Sequence, residues 1–365
     1  MIGRPRPAIA ALPGYRPGRS AAAAAADHGV ADAVKLASNE APFGPLPSVA
    51  GAISSGIEQI NLYPDHRAEA LRTDLAAHLA VDLDQVTVGA GSAGLLQQIL
   101  LAYVEPGDEI AMCWPSFEAY PLFASLVEAA QVRVPLREET FDLDALAASV
   151  TDRTKVVFVT NPNNPTGTVV PTAAITEFLR AVPDSCVVVL DEAYSEFVDD
   201  PEVTDSVPLV DDHPNLVITR TFSKAHGLAS LRVGYAVGSA DVIGVIDRTL
   251  VPFAVNDLAQ RAARASLAAG DEMRVRVADV VAERSRVTAA LRAAGWTVPT
   301  PQGNFVWLPV AELAADLGVA LERHGIVARA FDQVGVRVTV AGREANDRFI
   351  EALAGAADDL AVAPR

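Results

Sequence analysis

Lysine is scarce in this chain of 365 residues, occurring only as Lys35, Lys155 and Lys224. If an amine is to condense with a carbonyl as a Schiff base, these three are the candidates. Lys224 follows an apolar strand-like run in Thr219-Arg220-Thr221-Phe222-Ser223-Lys224-Ala225-His226-Gly227, with Arg232 eight residues on. Alone, a lysine at a strand end is usually a solvated surface residue. Its surroundings argue otherwise. Asp191-Glu192-Ala193-Tyr194 closes another apolar run, Cys186–Leu190. An aspartate there is costly to bury without a partner, so a cation is expected beside it; a protonated pyridine nitrogen is one such cation. Asn161-Pro162-Asn163-Asn164-Pro165-Thr166-Gly167 follows a third run, and by itself that composition signals only a turn.

A further segment, Gly89-Ala90-Gly91-Ser92-Ala93-Gly94, matches the GxGxxG pattern of dinucleotide sites. Such a site also needs an acidic residue at the end of the next strand, about 20 residues on, for a ribose hydroxyl. The chain has Ala111-Met112-Cys113-Trp114 there, so NAD binding is set aside. Glycines at a helix start still offer free N–H groups to a phosphate.

These segments need a scaffold that brings strand ends together. Short apolar runs at 86–88, 109–113, 132–135, 156–160, 186–191, 216–219 and 233–237 alternate with helix-like stretches, as parallel βαβ units do. Their continuous Val/Ile character suits strands covered on both faces. Chemistry in such sheets gathers at the carboxyl ends. After Pro252 one long helical stretch, 257–294, leads to strands at 305–310, 327–331 and 336–340, which predicts a smaller α+β domain. The expected division is an N-terminal arm at 1–44, a large domain at 45–250 and a small domain at 251–365. The arm is expected to pack beside the small domain or reach a partner subunit.

A net charge of −17 argues against nucleic-acid partners. Cys113 and Cys186 each lie in an apolar run and are expected as buried free thiols; two cysteines cannot build a cysteine-rich zinc site, and no metal is expected. No run approaches the ~18 apolar residues of a membrane span. The alanines at 21–26 lack the bulk of a signal-peptide core, so the cytoplasm is the expected location.

Read together and in order, the motifs resemble those of fold-type I aminotransferases, in the histidinol-phosphate aminotransferase branch. The resemblance runs from Lys35-Leu36-Ala37-Ser38-Asn39-Glu40, Phe43-Gly44-Pro45 and Tyr63-Pro64-Asp65 through the Asn161, Asp191 and Ser223-Lys224 segments. It continues to Leu231-Arg232-Val233-Gly234-Tyr235, Asn304-Phe305-Val306 and Gly335-Val336-Arg337-Val338-Thr339. Trp114-Pro115-Ser116-Phe117-Glu118-Ala119-Tyr120-Pro121 and Val251-Pro252-Phe253 look most like the phenylalanine (aromatic amino acid) aminotransferases. The resemblance implies an α/β, aspartate-aminotransferase-like fold: a large domain with a mostly parallel sheet covered by helices, plus a smaller α+β domain. It implies pyridoxal 5'-phosphate as cofactor, an amino acid and a 2-oxo acid as substrates, and a homodimer with shared active sites.

Carried over by position, Lys224 would hold the cofactor aldehyde and shuttle the substrate proton. Asp191 would keep the pyridine nitrogen protonated, so that the ring serves as an electron sink. Tyr194 and Asn164 would bond the ring's phenolate oxygen, and Phe117 would stack on the ring. Ser223, Arg232 and the backbone at Ser92-Ala93 would meet the phosphate, with Tyr63 reaching the neighbouring subunit's phosphate. Arg337 would clamp the substrate α-carboxylate with its planar fork. Asn39, Asn304, Tyr15 and Arg329 would line the substrate side.

The chain departs from the pattern at Ala93 and Gly94, where acidic residues are common, at His226, usually aromatic, and at Arg329-Ala330-Phe331. His226 is expected only to pack. An aromatic amino acid is the expected donor and 2-oxoglutarate the expected acceptor. The alternatives are histidinol phosphate as donor, an amino-acid phosphate decarboxylase, and a non-catalytic binding module of the same fold.

Overall fold

The computed structural model describes residues 3–12, 14, 18–30 and 32–361. Its strands are β1 (Val34–Lys35), β2 (Val86–Gly89), β3 (Glu109–Trp114), β4 (Ala130–Pro135), β5 (Thr154–Thr160), β6 (Val187–Asp191), β7 (Leu216–Thr221), β8 (Gly234–Gly238), β9 (Phe305–Leu308), β10 (Ile326–Val327), β11 (Arg329–Phe331) and β12 (Gly335–Thr339). Among the described residues seven of these form one sheet in the order β2-β8-β7-β6-β5-β3-β4. The pairs from β7 through β4 are parallel, while β8 is antiparallel to both β7 and β2. The continuous apolar runs have a direct cause here. Along β5, Val156 and Phe158 enter one apolar layer, and Val157 and Val159 enter the other. Crossover helices cover both faces of such a sheet. Each fully buried Val or Phe contributes about 1.5–3 kcal/mol, so neither face tolerates polar alternation.

A second apolar cluster contains Trp296, Phe305, Leu321 and Phe349 and surrounds a small sheet ordered β11-β12-β9, with β1 and β10 pairing beside it. The expected strand at 327–331 is divided: β10 pairs in parallel with β1, and β11 pairs antiparallel with β12. Each half thereby satisfies a different neighbour. The N-terminal arm packs here too, through an Arg19–Glu322 ion pair at 2.6 Å and an Ala24–Ala37–Val327 contact cluster.

The helical stretch expected at 257–294 is likewise two helices, Asp257–Ala268 and Gly270–Ala293. The two halves serve different cores. Ala259, Ala262 and Ala263 pack with the large sheet, whereas Val277, Val280, Val287 and Leu291 pack in the second cluster. A turn at Ala269 lets one sequence follow both. Cys113 and Cys186 are buried free thiols. Among the described residues no helix is long and apolar enough to cross a membrane, and no group of side chains could hold a metal ion.

Candidate active site

The carboxyl ends of β5, β6 and β7 and the start of the helix Gly91–Tyr103 converge on a cavity of about 550 Å³. Parallel strands align their ends, so Thr160, Asp191 and Thr221 all reach its wall. Lys224, three residues beyond β7, reaches in with them.

Lys224 Nζ donates to the carbonyl oxygens of Ser38 and Asn39, at 3.1 and 3.2 Å. Burial, reinforced by the nearby Arg337 guanidinium, lowers its pKa to about 7. A neutral amine is therefore accessible near neutral pH, as a nucleophile requires. Asp191 is 3% exposed. Its Oδ2 accepts a 2.8 Å hydrogen bond from the Tyr120 hydroxyl, while Oδ1 has no hydrogen-bond partner among the described residues. Burial pushes this carboxyl up to about 6, against the pull of the Tyr120 hydroxyl. Tyr120 in turn lies 2.8 Å from Thr160 Oγ1 and stacks flat on Phe158 at 4.2 Å.

One end of the cavity is built for an anion. No side chain caps the helix Gly91–Tyr103, and Ser92 and Ala93 of its first turn line the wall. Its orphan N–H groups and dipole favour negative charge. Ser223 and Arg232 face the same space, joined by a 3.3 Å hydrogen bond from Arg232 Nη1 to Ser223 Oγ. Arg232 has φ of 56°, a left-handed conformation unusual for a side chain of its size. Glycine is needed beside it: a Cβ on Gly234 would sit 2.5 Å from the Ser92 nitrogen.

Arg337 also lines the cavity and is 7% exposed. Its guanidinium donates to Asn164 Oδ1, and to the Ala37 carbonyl at 2.7 Å. Asn39 Nδ2 donates to the Tyr194 hydroxyl at 2.9 Å, and Asn304 donates to the Asn39 carbonyl at 3.1 Å. Phe117, Leu122 and Phe123 line the wall too, and the Phe117 ring meets Tyr120 edge-on at 5.4 Å.

The sequence-selected residues Asn39, Ser92, Ala93, Phe117, Asn164, Asp191, Tyr194, Ser223, Lys224, Arg232, Arg329 and Arg337 all line this one cavity. Tyr63 does not; it is 84% exposed and stacks on Phe253 at 4.7 Å. Asn304, expected to line the substrate side, sits fully buried behind Asn39. Tyr15 lies outside the described residues. His226 turns away, with Nδ1 2.7 Å from Ser266 Oγ, and burial lowers its pKa to about 4. Sequence reasoning gave no role to Tyr120, Thr160 or Glu118. Tyr120 and Glu118 sit inside a quoted motif, but only the fold reveals their partners.

A family model for aminotransferase class I and II matches residues 31–353. The chain belongs to this family. The aromatic amino acid aminotransferase of Thermobifida fusca (strain YX) is 53% identical over 345 residues, covering 94% of this chain and 95% of its own. The enzyme of that name from Mycobacterium sp. (strain KMS) is 48% identical, covering 96% and 98%. Among solved structures, histidinol-phosphate aminotransferase from Sinorhizobium meliloti, in complex with pyridoxal-5'-phosphate, superposes with a TM-score of 0.90. It is 28% identical and covers 99% of both chains. An aspartate aminotransferase mutant from Thermus thermophilus, 23% identical over 98% of this chain and all of its own, shares the fold with a TM-score of 0.83. The aminotransferase therefore has the aspartate-aminotransferase-like α/β architecture expected from its motifs.

Proposed function

We propose that this aminotransferase uses pyridoxal 5'-phosphate to move the amino group of an aromatic amino acid to a 2-oxo acid, with 2-oxoglutarate as acceptor. The observation that carries the reading is one cavity holding an amine of lowered pKa, a buried carboxylate oxygen without a partner and an uncapped helix start. The cofactor fits all three. Asp191 Oδ1 needs a buried donor, and a protonated ring nitrogen is one. The part of the cavity lined by Ser92, Ala93, Ser223 and Arg232 suits a phosphate. When bound, the cofactor supplies an aldehyde for the Lys224 amine and a ring that withdraws electrons from the substrate Cα.

The chain's own residues have the remaining tasks. Ser223, Arg232 and the N–H groups of Ser92 and Ala93 hold the phosphate, while Phe117 and Asn164 orient the ring. Asn164 presents its carbonyl oxygen to Arg337, so its NH2 end is left to donate. Tyr194 and Asn39 form a linked pair of polar groups beside Lys224. Lys224 takes the proton from the substrate Cα and returns it on the cofactor side. Arg337 grips the α-carboxylate; its planar fork suits a planar acid. Leu122 and Phe123 give an aromatic side chain an apolar wall.

Ile60, Leu62, Tyr63, Val251 and Phe253 are exposed, and Tyr63 packs on Phe253. Apolar groups left in water suggest a covered surface, which supports a homodimer in which Tyr63 serves the neighbouring phosphate. We divide the chain into an arm at 1–44 and two units, with the boundary at Gly270 rather than Val251, because the helix Asp257–Ala268 packs with the large sheet. Two reduced thiols fit a cytoplasmic setting. The test is the kcat/KM for phenylalanine against that for histidinol phosphate, with 2-oxoglutarate as acceptor. A preference of about tenfold for histidinol phosphate, 1.4 kcal/mol, would overturn the substrate and leave the cofactor and lysine assignments standing.

A further inference from the structure

β11 and β12 place Arg329 directly across from Arg337. Residues opposite each other on an antiparallel pair have Cβ atoms about 4.5–5.5 Å apart, and like charges there repel. Both arginines line the cavity, yet they are countered differently. Arg337 donates to the oxygens of Asn164 and Ala37. Arg329 meets a full carboxylate: Nε donates to Glu118 Oε2 at 3.0 Å and Nη2 to Oε1 at 2.8 Å. The pairing is fork to fork, the strongest form of this contact. Glu118 arrives from 211 positions away and itself lines the cavity.

A phosphate dianion would draw on both guanidinium groups. With Glu118 in place the Arg329 fork is filled and its charge cancelled. A phosphate monoester entering here would displace that carboxylate and then sit beside it, negative against negative. An aromatic amino acid needs only Arg337. The side chains of Arg329 and Glu118 are 17% and 31% exposed, and partly exposed pairs add little to folding stability. The effect of the pair therefore falls on the charge of the cavity.

We propose that Glu118 is a specificity-determining residue, which occupies Arg329 and thereby excludes substrates bearing a phosphate monoester. The proposal rests on the aromatic reading of the same site. Its test uses holoenzyme of the wild type, Glu118→Gln, Glu118→Asp and the double variant Glu118→Gln/Arg329→Gln. Two quantities are read: the kcat/KM ratio of histidinol phosphate to phenylalanine, and the inhibition constant of inorganic phosphate against the amino donor. Glu118→Gln should raise the ratio about tenfold, or 1.4 kcal/mol, chiefly through KM, and lower the phosphate inhibition constant by a similar factor. Glu118→Asp, which keeps the charge, should stay close to wild type. The double variant should lose the gain. Unmoved values in Glu118→Gln, or a gain that survives loss of Arg329, would overturn the proposal. Should the wild type reject phenylalanine, the aromatic reading falls separately, and phosphate inhibition against whichever amino donor is used still decides the role of Glu118.

Discussion

The Tyr120 hydroxyl donates to one oxygen of Asp191, a residue of the cavity wall, and leaves the other buried oxygen without a hydrogen-bond partner among the described residues. A neutral donor on one oxygen favours the ionised carboxylate without spending its charge, so the second oxygen remains an acceptor. Asp191→Asn should weaken cofactor binding by about 1–3 kcal/mol, the loss of one charge-assisted hydrogen bond. Cα proton removal should slow far more, by at least about 100-fold or 2.7 kcal/mol, because the electron sink acts on the transition state. Tyr120→Phe removes one hydrogen bond to the same buried carboxylate and should cost about 1.5–3 kcal/mol of stability. Single-turnover deprotonation at near-normal speed in Asp191→Asn would refute the assignment.

Lys224 gives the cofactor-free protein a pH signature. Its folded pKa of about 7 lies below the unfolded value of about 10.4. Between these values the unfolded chain holds a proton that the folded chain has shed, so stability rises with pH across that window. Below pH 7 both states are charged, and the folded state carries the full cost of a buried ammonium. Lys224→Met should therefore be more stable than wild type at pH 6, with the difference shrinking towards pH 10. Urea unfolding of both apo-proteins at several pH values measures this; a gap that does not change with pH contradicts it.

Arg337 should be intolerant even of lysine, which keeps the charge but loses the planar fork. Removing one partner of a buried charge pair costs about 2–5 kcal/mol. We expect Arg337→Gln to lower kcat/KM for amino acids within that range, and Arg337→Lys to recover only part of it. The absorbance of the bound cofactor should stay unchanged, since Lys224, Asp191 and Arg232 are left in place. A lost cofactor spectrum would mean that Arg337 is structural instead.

A mixed dimer can report on Tyr63. One subunit carrying Tyr63→Phe and another carrying Lys224→Ala leave one intact Tyr63 and one intact Lys224. If the tyrosine serves its neighbour, hybrids should regain activity at one site, up to about half of the wild-type sites. Isolated heterodimers no more active than their parents would rule out sharing.

The core of this site was legible because its groups stand at strand ends. Asp191, Asn164 and Lys224 each follow an apolar run, and a parallel sheet brings such ends together whatever its loops do. Partnerships across the chain were not. Nothing around Glu118 announces Arg329, because their meeting depends on how β11 sits against the helix Ala119–Leu126. The turn at Ala269 was hidden for a related reason. Alanine and arginine favour helix on both sides of it, and only the two separate cores require the chain to turn.

Ala37 accepts from Arg337 at 2.7 Å, and the Asn39 N–H donates to Thr339 Oγ1 at 2.9 Å, each across 300 positions of sequence. During synthesis, at about 5–20 residues per second, roughly 15 s to a minute separates the first half of this grip from the second. By then the strands of the large sheet, which end at Gly238, have long left the ribosome. A nascent chain can thus bring Ser92, Asp191 and Lys224 together well before Arg337 and Thr339 tie down Ala37 and Asn39.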